Sequence, residues 1–166
     1  MTGYHANDRA RCTRFIGEPD YLIIDSDDTD YLGKGMYFWE HKSRAEWWLL
    51  EQNKESIVSA ELDLGSMLDL TDDAILSFIG GIANKFTSAM RGKGIKQNQM
   101  GLKLNYLFER EKFLDNHFTS VRGHFYYKNR NEPDFLNGSR LTGKCVDIYI
   151  VRKDPSLVTK RQWVKE

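Results

Sequence analysis

This chain of 166 residues has few cysteines and no long apolar run, and both features exclude classes of protein. Its two cysteines, Cys12 and Cys145, lack the close pairing of a zinc site and are too few for a disulfide framework. No apolar run approaches the roughly 20 residues that a membrane-spanning helix needs. The first residues also lack the basic and then apolar order of a secretion signal. We therefore expect a cytoplasmic protein in reducing surroundings, without a membrane partner.

The chain also lacks net charge, although charge is unevenly distributed along it. Residues 1–84 hold 7 Lys and Arg residues against 16 Asp and Glu residues, whereas residues 85–166 hold 17 against 8. Zero net charge argues against indiscriminate binding of nucleic acids, which depends on a strong positive field. The uneven halves are compatible with attraction within the fold, or with a basic surface beside a cleft that takes a phosphate-bearing ligand.

The histidines do not indicate a metal site. His5, His41, His117 and His124 lack the spacing of metal ligands, so we expect no metal. The length of the chain fits one domain with its own hydrophobic core. We predict that residues 1–166 form that single domain.

The hydrophobic pattern predicts strands before and after a helical middle. Strands are predicted for residues 2–6, 36–39, 57–64, 121–127 and 144–152. Helices are predicted from Ser43 as N-cap, from Thr71, and within the segment LKLNYLFEREKFLDNHF. Because strands and helices do not alternate regularly, the pattern predicts the α+β class.

The segment LGKGMYFWEHKSRAEWW, residues 32–48, combines glycines, an aromatic strand and the start of a helix. Glycines let a backbone approach a ligand closely, and aromatic faces suit a flat ring. The alternative is a tight turn that leads into a buried strand, since apolar strands usually belong to the core. Because side chains alternate along a strand, Phe38 is expected to face the core if Tyr37 faces a ligand.

Three motifs occur in order along the chain: Tyr-His before small or polar residues, then Gly-Lys-Gly-Met-Tyr-Phe, then Ser-Arg-Ala with an aromatic residue in the following helix. This order resembles the diphtheria-toxin-like and poly(ADP-ribose) polymerase-like ADP-ribosyltransferases, which hold NAD with a His-Tyr-Glu triad. The resemblance is sharpest across residues 32–48 and loose across residues 119–152. It implies an ADP-ribosyltransferase-like α+β fold, with two packed, antiparallel-rich sheets around an NAD cleft and flanking helices.

The resemblance implies that the N-terminal strand binds NAD as a co-substrate. His5 would hydrogen-bond ribose hydroxyls, since its ring offers a donor and an acceptor. Ala6 and Asn7 would place backbone groups against the nicotinamide amide, where the family usually has Gly and then Ser or Thr. Both residues depart mildly from the family pattern.

The same resemblance places the rest of the NAD site in the glycine and aromatic segment. Tyr37 would stack on the nicotinamide ring, and Trp48 stands where the polymerase branch often has a second stacking tyrosine. Gly35 would bring the backbone close to NAD. Ser43, from the Ser-Arg-Ala motif, would also belong to the site.

The resemblance is weakest at the acidic member of the triad. In the family a glutamate at the start of the last core strand binds a ribose hydroxyl and stabilises the oxocarbenium-like transition state. Asp147, one methylene shorter, stands at the matching position. Glu132, in the preceding loop, is an alternative that would act on the acceptor. Each also has a plainer interpretation, Asp147 as an acid that faces water and Glu132 as a solvated turn residue beside Pro133.

The activity that the resemblance implies is mono-ADP-ribosyl transfer: cleavage of the bond between nicotinamide and ribose, and transfer of ADP-ribose to a macromolecule. The acceptor stays open between nucleic acid and protein, because basic tracts with aromatic residues, such as RGHFYYKNR, suit either. Similar small bacterial proteins look like toxins or phage-conflict factors, so an antitoxin protein is a candidate partner. Two alternatives are an NAD-hydrolysing toxin and an inactive relative that binds an ADP-ribose-like ligand or a partner protein.

Overall fold

The structure, a computed structural model, describes residues 1–24, 31–90, 100–110, 112–126 and 144–166. These residues form seven strands and four α-helices, which confirms the prediction of the α+β class. The strands are β1 (Thr2–Asn7), β2 (Met36–Trp39), β3 (Ser56–Leu62), β4 (Met67–Asp69), β5 (Ser120–Tyr126), β6 (Cys145–Val151) and β7 (Val158–Lys165). The helices are α1 (Arg9–Gly17), α2 (Lys42–Glu51), α3 (Asp73–Met90) and α4 (Met100–Asn105), which continues as a π-helical turn, Tyr106–Arg110.

The seven strands form one mixed sheet in the order β4-β5-β6-β2-β1-β3-β7. The pair β4 and β5 is parallel, and the other neighbours are antiparallel. The junction between β1 and β2 is narrow, because these strands pair only at Tyr4 and Trp39. Beyond that pair, the contact between the two strands is made by a side chain: His5 Nδ1 lies 2.7 Å from the Tyr37 carbonyl oxygen. The sheet therefore opens between His5 and Tyr37.

The prediction of two separate packed sheets was wrong for the described strands. The Tyr4–Trp39 pair connects β1 to β2, and β2 continues onto β6 over the four residues of Met36–Trp39. These pairs make one hydrogen-bonded sheet. The narrow junction nevertheless divides it into a three-stranded part, β1-β3-β7, and a four-stranded part, β4-β5-β6-β2.

Two hydrophobic clusters flank the sheet, and the alternation of side chains along the strands separates them. Trp39 and Ile148 belong to the cluster that includes residues of α2, α3 and α4. Phe38 and Tyr149, their neighbours along β2 and β6, belong to the cluster that includes Phe15 of α1. Phe38 is fully buried, which confirms that it faces the core.

Helix starts differ slightly from the sequence prediction. Helix α2 begins at Lys42 with His41 at the N-cap, so the prediction of Ser43 as N-cap was wrong. Ahead of α3, the Asp72 carboxylate accepts hydrogen bonds from the amides of Ala74 and Ile75 at 2.9 and 3.0 Å. Asp72 therefore performs the capping that the sequence assigned to Thr71.

Candidate functional site

A cavity of about 380 Å³ lies at the narrow junction of the sheet and opens to solvent. Its volume is within the range of small-molecule sites, roughly 300–1,000 Å³. One wall is aromatic and comprises Tyr31, Tyr37, Trp39, Trp48 and Phe125. The opposite wall is polar and comprises His5, Asn7, Asp8, Arg11, Gln52 and Lys54, while Ala6 and Ile148 complete the lining.

The structure brings five of the sequence-predicted site residues together in this cavity. His5, Ala6 and Asn7 reach it from the end of β1, Tyr37 from β2, and Trp48 from α2. They are far apart in the chain and meet because β1 and β2 separate beside the helix that follows β2. Whether they bind NAD stays a prediction.

The aromatic wall is built from rings that contact one another at an angle. The Trp48 ring centre lies 5.7 Å from that of Trp39 and 6.1 Å from that of Phe125. Tyr31 adds a further ring, 5.0 Å from Phe125 and 6.3 Å from Tyr37. Such a wall offers several π faces, which attract a flat ring and most of all a cationic one.

Tyr37 is held by the turn that precedes it. Its hydroxyl donates to the Gly33 carbonyl oxygen at 2.5 Å and accepts from the Leu32 amide at 3.1 Å. The hydroxyl is therefore committed to the protein, and the face of the ring is what Tyr37 presents to the cavity. This agrees with a stacking role rather than with proton transfer.

His5 is neutral near pH 7. Burial lowers its pKa to about 4; the nearby charges of Lys54 and Arg11 act in the same direction, and the bond to the Tyr37 carbonyl opposes them. Because a carbonyl oxygen can only accept, Nδ1 carries the proton. Nε2 is then an acceptor, and the Asn7 side-chain amide lies 3.2 Å from it.

The two glycines of the aromatic segment contact protein backbone and a side chain rather than the cavity. Gly33 has a φ of +82°, and a Cβ there would lie 2.5 Å from Asn105 Oδ1. A Cβ on Gly35 would lie 2.8 Å from the Val151 carbonyl oxygen at the end of β6. Gly35 does not line the cavity, and close packing against β6 explains its lack of a side chain, while its assignment to an NAD site stays a prediction.

Asn105, which the sequence reading did not single out, holds the glycine turn. Its Oδ1 accepts from the Lys34 amide at 2.8 Å and from Arg152 Nη2 at 3.0 Å. Because the same turn supplies both partners of the Tyr37 hydroxyl, Asn105 supports the aromatic wall indirectly. Asn105 lies within the predicted helical segment LKLNYLFEREKFLDNHF, and nothing in that pattern indicated this role.

Two further predicted site residues are not in the described cavity. Ser43 is an exposed residue in the first turn of α2 and does not line the cavity, and its assignment to an NAD site stays a prediction. The reason is that α2 turns its buried side, with Ala45 and Leu49, toward the core. Glu132 lies outside the described residues, and its role stays a prediction.

Asp147 lies on the face of β6 opposite to the cavity, and its assignment to an NAD site stays a prediction. Ile148, the next residue, lines the cavity, and alternation along a strand sends Asp147 to the other side. There its carboxylate forms an ion pair with Arg122 and a hydrogen bond with His124 Nδ1.

The charged cluster around Asp147 is internally paired. Arg122 Nε donates to Asp147 Oδ2 at 3.0 Å, and Arg122 Nη1 donates to Asp69 Oδ2 at 3.1 Å. His124 Nδ1 lies 2.8 Å from Asp147 Oδ1. Burial raises the pKa of Asp69, but hydrogen bonds from Thr71 and the charge of Arg122 outweigh burial and hold that pKa below its usual value.

Several residues of the cavity were missed from the sequence. Trp39 could have been found, because it lies two residues from Tyr37 and therefore on the same side of β2. Tyr31 has a φ of +39°, which is rare for a bulky residue, and its ring completes the aromatic wall. No sequence pattern around Lys54 or Arg11 indicates a site, because these residues reach the cavity only through the tertiary fold.

Within the parts of the chain that the structure describes, no three His, Cys, Asp or Glu side chains are grouped to hold a metal ion. No helix in those parts combines the length and apolar character needed to cross a membrane.

Comparison with known proteins gives one weak relative. An uncharacterized protein of Methanocaldococcus jannaschii, MJ0359, is 24% identical over 188 aligned residues, which cover 98% of this chain and 86% of the relative. No family model matches the chain. No solved structure matches it either.

Proposed function

We propose that this chain binds NAD in the aromatic cavity and is a mono-ADP-ribosyltransferase. The observation that carries the proposal is the convergence of His5, Tyr37 and Trp48, which the family resemblance assigns to NAD and which line one cavity. The short pairing of β1 with β2 supports it, because the cavity is lined by residues of both strands beyond the Tyr4–Trp39 pair.

In this proposal the two walls bind different parts of NAD. The rings of Tyr37 and Trp48 hold the nicotinamide, whose positive charge suits aromatic faces. His5 is neutral, and its Nε2 accepts a hydrogen bond from a ribose hydroxyl in exchange for the Asn7 side-chain amide, which lies 3.2 Å from it. Binding of this kind fixes the ribose carbon that reacts and leaves its far side open to an acceptor.

The reaction that we propose breaks the bond between the ribose carbon and the nicotinamide nitrogen. The electron pair leaves with nicotinamide, and an oxygen or nitrogen atom of the acceptor bonds to the same carbon and releases its proton. A macromolecular acceptor, RNA, DNA or protein, makes the protein a transferase, whereas water would make it an NAD hydrolase. The resemblance favours the transferase over the hydrolase.

A second candidate function is binding without turnover. The position of Asp147 favours it, because a carboxylate that faces away from the cavity does not stabilise the oxocarbenium-like charge. Asp8 is the one carboxylate among the described residues that line the cavity, and it lies 3.0 Å from Lys54 Nζ. A chain of this kind would retain an ADP-ribose-like ligand or a partner protein in the cavity.

The experiment that separates these candidates measures NAD binding and nicotinamide release in parallel. Purified protein is titrated with NAD, and labelled NAD is then incubated with cell lysate that has been treated with nuclease or with protease. Trp48→Leu is expected to weaken NAD binding about tenfold, since one stacked aromatic face contributes roughly 1–3 kcal/mol. Trp163→Leu, in the other hydrophobic cluster, is the matched control.

Each outcome has one interpretation. Nicotinamide release with labelled macromolecule supports the transferase, and the enzyme that removes the label identifies the acceptor. NAD loss without labelled macromolecule supports the hydrolase. Binding without release supports the second candidate, and an absence of binding overturns the proposal.

A further inference from the structure

The polar wall of the cavity carries two cations that share one carboxylate. Lys54 Nζ lies 3.0 Å from Asp8 Oδ1, and Arg11 Nε lies 4.0 Å from Asp8 Oδ2. All three side chains line the cavity. Two cations and one carboxylate therefore share this part of the lining.

The arrangement of Asp8 is unusual for its place in the fold. Asp8 is the N-cap residue of α1, yet its side chain forms no cap hydrogen bond with that helix. An aspartate at this position usually accepts from the first amides of the helix. Here the carboxylate is directed toward Lys54 and Arg11, so it neutralises cations of the cavity wall instead.

Lys54 and Arg11 act on the inner part of the cavity. The Lys54 side chain is 25% exposed, so its charge is less screened than that of a surface lysine. Both cations contribute to the lowered pKa of His5, which means that their fields reach the imidazole ring. A ligand that contacts His5 therefore lies within the influence of both.

We propose that Arg11 and Lys54 form a phosphate subsite of this cavity, which binds the diphosphate of a nucleoside diphosphate ligand in place of the Asp8 carboxylate. The proposal rests on the proposed function, because the ADP-ribose part of NAD supplies such a diphosphate. Phosphate oxygens accept charge-assisted hydrogen bonds from both types of cation. The ligand then spans the cavity, with its ring on the aromatic wall and its phosphates on the polar wall.

The test compares a ligand that contains a diphosphate with one that contains no phosphate. ADP-ribose carries the diphosphate, whereas nicotinamide riboside carries the ring and ribose alone. Calorimetric titration of Lys54→Gln and of Arg11→Gln is expected to show about tenfold weaker binding of ADP-ribose than the wild type, since each change removes a charge-assisted contact. Nicotinamide riboside is expected to bind all of these proteins within about twofold of the wild type.

Matched controls are available on helices α1 and α2. Arg14→Gln removes an exposed cation of α1 that pairs with Glu18, and Lys42→Gln removes an exposed cation of α2 that pairs with Glu46. Neither residue lines the cavity. Both controls are expected to bind ADP-ribose as the wild type does, and thermal unfolding of all variants identifies any that fail to fold.

A third variant gives an effect of opposite sign. Asp8→Asn removes the carboxylate that competes with phosphate, so ADP-ribose is expected to bind a few-fold more tightly. A purely structural ion pair predicts no such gain, because loss of the pair would only loosen the wall. Unchanged or weaker binding in a folded Asp8→Asn protein would contradict the exchange of carboxylate for phosphate.

The outcomes separate this proposal from the proposed function. Equal ADP-ribose affinities in the Lys54 and Arg11 variants and their controls would overturn the phosphate subsite, while binding of both ligands would leave the NAD site in place. If neither ligand binds, the proposed function fails. Inorganic pyrophosphate then tests the cation pair alone: saturable binding that Lys54→Gln abolishes supports the subsite, and its absence overturns it.

Discussion

The two faces of strands β5 and β6 differ sharply, although successive residues of the same two strands supply them. Toward the cavity the strands present Phe125 and Ile148, which are apolar. Toward the opposite side they present Asp147, its ion-pair partner Arg122 and its hydrogen-bond partner His124. The comparison teaches that the direction of a side chain, and not its position along the strand, decides whether it can serve a site.

The faces also differ in how far their polar groups are satisfied. The cluster around Asp147 neutralises its own charges, and each carboxylate there already has a cationic partner. The cavity is lined by aromatic rings and by the cations Arg11 and Lys54. A ligand gains more from the cavity, because the opposite face would first have to lose its internal pairs.

The largest expected effect concerns His5 on the cavity side. Its pKa falls from 6.5 in the unfolded chain to about 4 in the folded one, so the unfolded state binds more protons between these values. Stability should therefore be complete above pH 6.5 and decrease as the pH falls toward 4, by about 3 kcal/mol in all. Urea unfolding across this pH range measures the decrease.

The matched comparison uses His5→Gln and His41→Gln. His41 is exposed, so its replacement should leave the pH dependence as it is in the wild type. His5→Gln should remove the part of the decrease that belongs to His5, whereas the carboxylates that titrate nearby contribute equally to all three proteins. Identical pH profiles for the three would show that burial does not shift His5, and the contrast between the two faces would lose its electrostatic basis.

The next effect concerns the opposite face. Arg122→Met leaves Asp147 and Asp69 without their shared cation, and both carboxylates are partly buried. We expect a loss of about 2 kcal/mol in the free energy of unfolding, because hydrogen bonds to charged groups contribute roughly 1.5–3 kcal/mol. NAD affinity should stay within about twofold.

Denaturant unfolding and NAD titration of the same Arg122→Met preparation measure both quantities. Arg14→Gln, which breaks an exposed pair of α1, should leave stability close to that of the wild type. A stable Arg122→Met protein with weak NAD binding would reverse the roles that we assign to the two faces.

The same contrast shows what could be predicted from the sequence. Strand β6 was predicted within a residue of its bounds, since its apolar run is clear. The direction of Asp147 could not be predicted, because it depends on which side of the sheet carries the cavity. The strand Val158–Lys165 was missed because it lies at the edge of the sheet and half of its residues are exposed, so it has no apolar pattern.

The site was predictable to the extent that a family resemblance supplied it. His5, Tyr37 and Trp48 were assigned from motif order, and the structure places them in one cavity, while composition and spacing alone would not have joined them. Asp8 and Lys54 are ordinary surface residues by pattern. Only the position of the end of β1 beside the end of α2 brings them together.

A smaller effect is expected at the turn that holds the aromatic wall. Tyr37→Phe keeps the ring but removes the hydroxyl that bonds to Gly33 and Leu32. We expect a loss of about 1 kcal/mol of stability, the usual contribution of a hydrogen bond, and NAD binding within about threefold of the wild type. Loss of NAD binding with little loss of stability would show that the hydroxyl, and not the ring, contacts the ligand.

The smallest effect, and the sharpest test of the two faces, is expected from Asp147→Asn. Asparagine has the same shape and can still accept from Arg122, so the cluster should weaken by about 1 kcal/mol or less. Because Asp147 faces away from the cavity, NAD binding and any nicotinamide release should stay within about twofold of the wild type. A catalytic carboxylate would behave differently, since removal of its charge lowers turnover by orders of magnitude while the fold persists. A folded Asp147→Asn protein that binds NAD and releases no nicotinamide, where the wild type does, would return Asp147 to the site and show that β6 turns its charged face to the ligand when NAD is bound.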